Sequence, residues 1–120
     1  MGQSTAGRTE RIHIKANRQW CDGIVYVNVK SSRKALAIIS SNYFDNPSSK
    51  LNLIGVTGTN GKTTIATLLF DLYTELEIKS GLISTVKISY DNKNFQANQT
   101  TPDSLSINRF LSEMVNSNVR

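Results

Sequence analysis

A glycine-rich run between two apolar segments constrains this chain more than any other feature. Residues 55–64 read GVTGTNGKTT, and a short apolar run over residues 51–56 leads into them. After the run, apolar side chains recur at the three- and four-residue spacing of one helix face, at Ile65, Leu68, Leu69, Leu72 and Leu76. The pattern predicts a buried strand, a tight loop and a helix that begins near Lys62 and packs on the core.

The residue types of this loop are those that hold a polyphosphate. Inward-facing N–H groups and the positive end of a helix bind phosphate, and a close approach of the backbone favours residues without a Cβ, here Gly58 and Gly61. We expect the ammonium of Lys62 to reach the β- and γ-phosphates of ATP, and the hydroxyl of Thr63 to bind Mg²⁺, which prefers oxygen ligands. The predicted nucleotide-binding set also contains Thr59, Asn60 and Thr64.

The segments that follow predict the rest of an α/β fold. Residues 82–86 form a second apolar strand, which the helix would connect in parallel to residues 51–56 as a right-handed βαβ unit. Residues 87–96 predict a hairpin that turns at residues 91–94. Thr101 and Pro102 predict the start of another helix, with Thr101 as its N-cap. The predicted fold class is therefore α/β, a P-loop-type parallel sheet with flanking helices.

The segments before the loop are less regular. Residues 1–22 show neither helical nor strand periodicity, residues 24–29 predict a short strand, and a helix is expected after Ser31 and Ser32. Pro47 and its small polar neighbours predict a turn, where we place a domain boundary.

Charge and composition exclude several classes of protein. The net charge is +5, and seven of the basic residues lie within residues 1–34, where only two acidic residues accompany them. These charges are scattered, so we expect no nucleic-acid partner. The single cysteine allows no intrachain disulfide, and no apolar run approaches the about 18 residues of a membrane helix. We therefore expect a cytoplasmic protein with no membrane association.

Four stretches resemble the Mur ligases, the ATP-dependent enzymes that build the peptidoglycan stem peptide. The loop TGTNGKTT at residues 57–64 departs from the generic phosphate-loop spacing in the way that this family does. Residues 46–56, residues 81–85 and the run QTTPD at residues 99–103 are similar to the member that adds the third amino acid. The resemblance covers residues 24–120.

The resemblance implies an incomplete part of a three-domain ligase. Residues 1–22 would be a basic leader without a match, residues 23–46 the end of the N-terminal UDP-substrate domain, and residues 47–120 the first part of the central ATP-binding domain. It further implies a reaction through an acyl phosphate with Lys62 as the catalytic cation. The implied substrates are UDP-N-acetylmuramoyl-L-alanyl-D-glutamate and diaminopimelate or lysine, with the UDP-sugar contacted by Gln99, Thr100 and Thr101.

Three alternatives stay open at this point. Folylpolyglutamate and cyanophycin synthetases share the fold and the acyl-phosphate chemistry. A regulatory nucleotide switch would require a downstream acidic Mg²⁺ motif on a strand, and the sequence has none. A binding-only polypeptide would hold nucleotide without making a bond, and this is what we expect of the 120 residues when they act alone.

Overall fold

The computed structural model describes residues 27–96 and 102–119. The chain divides into two compact units, Met1–Ala35 and Leu36–Arg120. In the described ranges, three α-helices and three strands follow one another in the order α1 (Ser32–Tyr43), α2 (Lys62–Glu75), β1 (Gly81–Ile83), β2 (Lys87–Tyr90), β3 (Lys93–Gln96) and α3 (Ser104–Asn116). Within the described ranges, no helix combines the length and the apolarity that crossing a membrane requires.

Helix α1 spans Ser32–Tyr43 and begins where the serines predict it. The hydroxyl of Ser31 accepts a hydrogen bond from the backbone N–H of Lys34 at 3.4 Å, as an N-cap side chain does. After α1, Asp45 and Asn46 both adopt left-handed backbone conformations, and a short 3₁₀ helix follows at Pro47–Lys50. The predicted turn is thereby confirmed, whereas the predicted domain boundary beside it stays a prediction.

Helix α2 spans Lys62–Glu75 and starts at the predicted residue. The sequence predicted that five apolar side chains of this segment pack on the core. This prediction is wrong for four of them, which are half or more exposed: Ile65, Leu68, Leu72 and Leu76. Instead, the neighbouring face of the helix lines a cleft that also contains β1, and the residues on this face are Ala66, Leu69, Phe70 and Tyr73.

The sheet has three antiparallel strands, β1 (Gly81–Ile83), β2 (Lys87–Tyr90) and β3 (Lys93–Gln96), in the spatial order β1-β2-β3. Strands β2 and β3 form the predicted hairpin. Its turn is shorter than predicted, since only Asp91 and Asn92 connect the strands, both with positive φ. A two-residue loop with two such residues matches the twist of the flanking strands.

The parallel strand pair predicted for residues 51–56 and 82–86 is not found among the described residues. Residues 52–57 belong to no strand, and β1 pairs with β2 in antiparallel register. Ser84 explains why β1 is short, because its hydroxyl accepts hydrogen bonds from the backbone N–H groups of Val86 and Lys87 at 3.3 and 3.1 Å. These bonds turn the chain back on itself where a longer strand was predicted.

Helix α3 spans Ser104–Asn116, and its N-cap is Asp103, so the predicted cap at Thr101 is wrong. The carboxylate of Asp103 accepts a hydrogen bond from the backbone N–H of Ser106 at 2.7 Å. Hydrogen bonds from this helical turn hold the pKa of Asp103 below its ordinary value. A carboxylate satisfies the free N–H groups of a helix start and complements the helix dipole, which a threonine hydroxyl does only in part.

The apolar core lies between the hairpin and α3. Tyr90 is 1% exposed, and its ring stacks on Phe95 with 5.9 Å between centroids. Phe95 in turn contacts Phe110 of α3 at 5.7 Å. The buried cluster consists of Tyr90 and Phe110 together with Ile88, Leu111, Met114 and Val119, and Phe95 covers it from the exposed side. This core orders β1 and α3, two of the walls of the cleft beside the glycine-rich loop.

Candidate functional site

The glycine-rich loop requires glycine at two positions because of its backbone. Gly58 has φ +146° and Gly61 has φ +76°, conformations that residues with a Cβ rarely adopt. Gly61 is also the N-cap of α2 and supplies no side-chain hydrogen bond to the first turn. The N–H groups of that turn therefore lack a side-chain cap and remain available as donors to an anion.

Lys62 lies over this loop. Its ammonium donates hydrogen bonds to the carbonyl oxygens of Gly58 at 2.5 Å and Thr59 at 3.2 Å. Both acceptors belong to the loop, so the positive charge is held above the residues predicted to surround a phosphate. Asn60 and Thr64 are exposed beside it, and Thr63, the predicted Mg²⁺ ligand, is half-buried at the start of α2. The seven predicted nucleotide-binding residues, 58–64, are consecutive and lie in the loop and the first turn of α2.

A cleft of about 560 Å³ opens beside the loop. Lys62 and Thr63 are among its lining residues, and the walls are largely apolar, formed by residues 51–56, the inner face of α2, β1 and α3. Two hydroxyl residues that sequence reasoning assigned to the interior of a strand, Ser84 and Thr85, also line it. No separate signal in the sequence marked them, because residues 82–86 were predicted to form a strand, whereas the structure ends β1 at Ile83.

The predicted substrate residues Gln99, Thr100 and Thr101 lie outside the described residues. Pro102, the next residue in the chain, lines the same cleft as Lys62 and Thr63. The described residues contain no group of three or more histidine, cysteine, aspartate or glutamate side chains placed to hold a metal ion. Among them, Thr63 at the loop remains the predicted oxygen ligand.

Comparison with known proteins defines the class of this chain. Residues 56–120 match the family model of the Mur ligase middle domain, in keeping with the mixed helices and sheet described above. The chain belongs to the Mur ligase family.

Individual relatives narrow the similarity to one kind of ligase. The chain is 54% identical over 89 residues to the UDP-N-acetylmuramoyl-L-alanyl-D-glutamate--2,6-diaminopimelate ligase of Cytophaga hutchinsonii, covering 74% of this chain and 18% of the relative. Proteins of the same name from Clostridium tetani (44% over 103 residues, 86% of this chain and 21% of the relative) and Bacteroides thetaiotaomicron (47% over 92 residues, 77% and 19%) are also similar. The chain spans about a fifth of the length of the curated relatives it matches.

Proposed function

We propose that this chain is part of a ligase that joins UDP-N-acetylmuramoyl-L-alanyl-D-glutamate to 2,6-diaminopimelate in peptidoglycan synthesis. The names of the relatives support the substrates, and the position of Lys62 over a glycine loop at a helix start supports the use of ATP. We assign residues 23–46 to the end of the UDP-substrate domain and residues 47–120 to the start of the ATP-binding domain. The activity belongs to the full-length protein.

The proposed reaction has two steps. A terminal carboxylate oxygen of the UDP-linked dipeptide attacks the γ-phosphorus of ATP, and the bond to the bridging oxygen breaks to release ADP. The amine of diaminopimelate then attacks the carbonyl carbon of the acyl phosphate. An amide bond forms, inorganic phosphate leaves with the C–O bond electrons, and the amine gives up a proton. One ATP is consumed for each amide formed.

The residues of this chain bind and orient the nucleotide in that scheme. The uncapped N–H groups at the start of α2 and the ammonium of Lys62 would hold the phosphates and stabilise negative charge on the transferred group. The hydroxyl of Thr63 would be one oxygen ligand of Mg²⁺. When bound, this ion neutralises phosphate charge. The backbone of Gly58 and Gly61 gives the loop the curvature that admits a phosphate without a clash from a Cβ.

The same cleft is proposed to border the UDP-sugar. Pro102 borders the cleft, which supports a role for Gln99, Thr100 and Thr101 as substrate contacts on the same side as the loop. We further propose that residues 51–56 form a strand of a parallel sheet in the full-length ligase, since the run is apolar at nearly every position, as in strands buried on both faces. A cytoplasmic location agrees with these substrates and with the single cysteine.

Replacing Lys62 tests the assignment of the loop. In the full-length ligase, Lys62→Ala should abolish ATP turnover, because the positive charge over the transferred phosphoryl group is lost. Lys93→Ala is the matched control, since Lys93 is exposed in the hairpin and lies outside the residues that line the cleft. Turnover by Lys62→Ala within a few-fold of the parent would show that the loop does not serve ATP.

A second measurement concerns the 120 residues alone. Incubation with ATP, Mg²⁺, UDP-N-acetylmuramoyl-L-alanyl-D-glutamate and diaminopimelate should release no phosphate above background, because the chain spans only about a fifth of its relatives. Phosphate release that depends on diaminopimelate would place the entire active site in this chain and would overturn the proposed division of labour.

A further inference from the structure

The turn that follows β1 is held by one side chain. The hydroxyl of Ser84 donates a hydrogen bond to the carbonyl oxygen of Lys87 at 2.9 Å, and it accepts two from the backbone N–H groups of Val86 and Lys87 at 3.3 and 3.1 Å. The backbone N–H of Ser84 also donates to the carbonyl oxygen of Lys87, at 3.0 Å. A serine hydroxyl can donate one hydrogen bond and accept two. Ser84 therefore has no hydrogen-bonding capacity left for a ligand.

Thr85 lies at the tip of this turn, and its hydroxyl is free. None of the described residues shares a hydrogen bond with that hydroxyl. Thr85 is exposed and lines the cleft together with Lys62 and Thr63. Because Ser84 already fixes the turn, the backbone of Thr85 would lose little conformational freedom when a ligand binds. The hydroxyl of Thr85 is thus a preorganised hydrogen-bond donor.

The path of the chain brings Thr85 back to the level of the glycine-rich loop. Helix α2 runs about 20 Å away from Lys62, at a rise of about 1.5 Å per residue. The chain then reverses, and residues 78–85 return by about 23 Å if they are fully extended, at about 3.3 Å per residue. The inner face of α2 and β1 line one cleft, so the two elements lie side by side. The end of β1 is therefore near the start of α2.

The other hydroxyl side chains of the cleft are less well placed. Outside the loop and the first turn of α2, they belong to Tyr73, Ser80 and Ser84. Tyr73 is near the C-terminal end of α2 and Ser80 directly precedes β1, so both lie at the opposite end of the helix from Lys62. Ser84 is engaged in the turn. Thr85 is the remaining hydroxyl near the loop.

We propose that the hydroxyl of Thr85 orients the substrate carboxylate that receives the phosphoryl group, by donating a hydrogen bond to one of its oxygens. The inference deepens the proposed function and rests on it, because it takes the cleft to be the place where ATP and the UDP-linked dipeptide meet. Thr85 would contact the substrate directly, whereas Ser84 would act only through the turn that it holds.

The direction of phosphoryl transfer favours the carboxylate over the phosphates as the partner of Thr85. In-line transfer places the attacking oxygen on the side of the γ-phosphorus opposite the leaving ADP. Since the loop is proposed to hold the phosphates of ATP, the carboxylate would approach from outside the loop. Thr85 lines the cleft from outside the loop, at the end of β1.

The chemistry of a hydroxyl suits this role. A neutral donor can hold one oxygen of the carboxylate while the other attacks the γ-phosphorus. A lysine in the same place would stabilise the negative charge of the carboxylate and lower its basicity, which would make it a poorer nucleophile.

Thr85→Val in the full-length ligase tests the proposal, because valine keeps the branched Cβ and removes the hydroxyl. The kcat/KM for UDP-N-acetylmuramoyl-L-alanyl-D-glutamate should fall roughly 10- to 150-fold, the range for a hydrogen bond to a charged group. The Kd of Mg²⁺–ATP, measured without the dipeptide, should change by less than about twofold. Thr85→Ser retains a hydroxyl and should stay within about threefold of the parent in kcat/KM.

The neighbouring residue provides a matched control. Val86 is 62% exposed on the same turn and lies outside the residues that line the cleft. Val86→Thr should leave kcat/KM unchanged, and Thr85→Val/Val86→Thr, which moves the hydroxyl by one position, should be as impaired as Thr85→Val. UDP-N-acetylmuramoyl-L-alanine lacks the glutamate and its carboxylates, so it should inhibit the parent and Thr85→Val equally.

Three results would overturn the role of Thr85. One is an unchanged kcat/KM in Thr85→Val. Another is an equal loss of affinity for Mg²⁺–ATP, which would assign Thr85 to the nucleotide. The third is a melting temperature for Thr85→Val more than about 5 °C below that of the parent, which would mean that the side chain is packed rather than presented to the cleft.

Failure of the proposed function gives a different result. If the parent ligase itself releases no phosphate with the dipeptide and diaminopimelate, the proposed function is wrong and the role of Thr85 falls with it. If the parent turns over and Thr85→Val is equal to it, only the role of Thr85 is wrong.

Discussion

The ammonium nitrogen of Lys62 lies 2.5 Å from the carbonyl oxygen of Gly58, four residues earlier in the chain. The lysine therefore folds back over the loop that leads into its own helix. On the proposed function, a phosphate in the loop would meet a positive charge already in place and would replace the backbone carbonyls as its acceptor. This arrangement would reduce the conformational entropy that the side chain loses on the proposed binding of nucleotide.

We expect Lys62→Gln to weaken the binding of Mg²⁺–ATP by the 120-residue chain roughly 10- to 150-fold. A hydrogen bond to a charged group is worth about 1.5–3 kcal/mol, which corresponds to that range. Isothermal titration calorimetry measures the affinity, and Lys93→Gln removes the same charge from the hairpin as a control. A change of less than about threefold would mean that Lys62 does not contact the phosphates.

Gly81 packs against Met114 without room for a side chain. A Cβ at Gly81 would lie 2.6 Å from the sulfur of Met114, which is itself 3% exposed. Gly81→Ala should lower the free energy of unfolding by about 1–3 kcal/mol, the usual cost of overpacking a core. Gly55→Ala is the control, because no heavy atom lies within 4 Å of a Cβ at Gly55. Equal denaturation midpoints for the two variants would contradict this packing.

The hydroxyl of Tyr90 makes the free energy of unfolding depend on pH in the alkaline range. Burial, together with its hydrogen bond to the carboxylate of Glu113, raises the pKa of Tyr90 from 10.0 to about 12. Because the folded state holds this proton more tightly than the unfolded state, the stabilisation is complete below pH 10 and is lost as the pH rises towards 12.

Urea denaturation between pH 9 and pH 12 would measure this dependence. In Tyr90→Phe, which keeps the stacked ring and removes the hydroxyl, the part of the slope due to Tyr90 should disappear. An identical pH profile for the variant and the parent would show that another group is responsible.

The carboxylate of Asp103 makes the free energy of unfolding depend on pH in the acid range, with the opposite sign to Tyr90. Hydrogen bonds from the first turn of α3, above all that of Ser106, lower the pKa of Asp103 from 3.8. The stabilisation by its carboxylate is therefore present above pH 3.8 and is lost as the pH falls through the lowered pKa.

Two variants separate the cap from the charge. Asp103→Ala should lower the melting temperature at pH 7 by a few degrees, because the helix loses its N-cap. Asp103→Asn should retain most of the stability, since asparagine is an equally good cap, but it should lose the acid dependence that the carboxylate contributes. If Asp103→Ala melts like the parent, the cap does not hold α3 in place.

The features that were predicted correctly from the sequence depend on local interactions. The start of α2 at Lys62, the hairpin over residues 87–96 and the loop with Gly58 and Gly61 all depend on residues within a few positions of one another. Helix starts, two-residue turns and positive φ angles are properties of short segments. The resemblance to the Mur ligases depends on such a segment too, the loop at residues 57–64, and the family comparison confirmed it.

Tertiary contacts decided which apolar segments are buried. Residues 51–56 and the four exposed apolar residues of α2 have the composition of a buried strand and a buried helix face, yet both are exposed, because burial requires a partner layer that a periodic pattern does not identify. Two other wrong predictions were local, since the hydroxyl of Ser84 accepts hydrogen bonds from residues two and three positions ahead, where β1 has ended. The carboxylate of Asp103, rather than Thr101, capped α3. Composition determines that a segment can be buried, whereas only the three-dimensional arrangement determines against what.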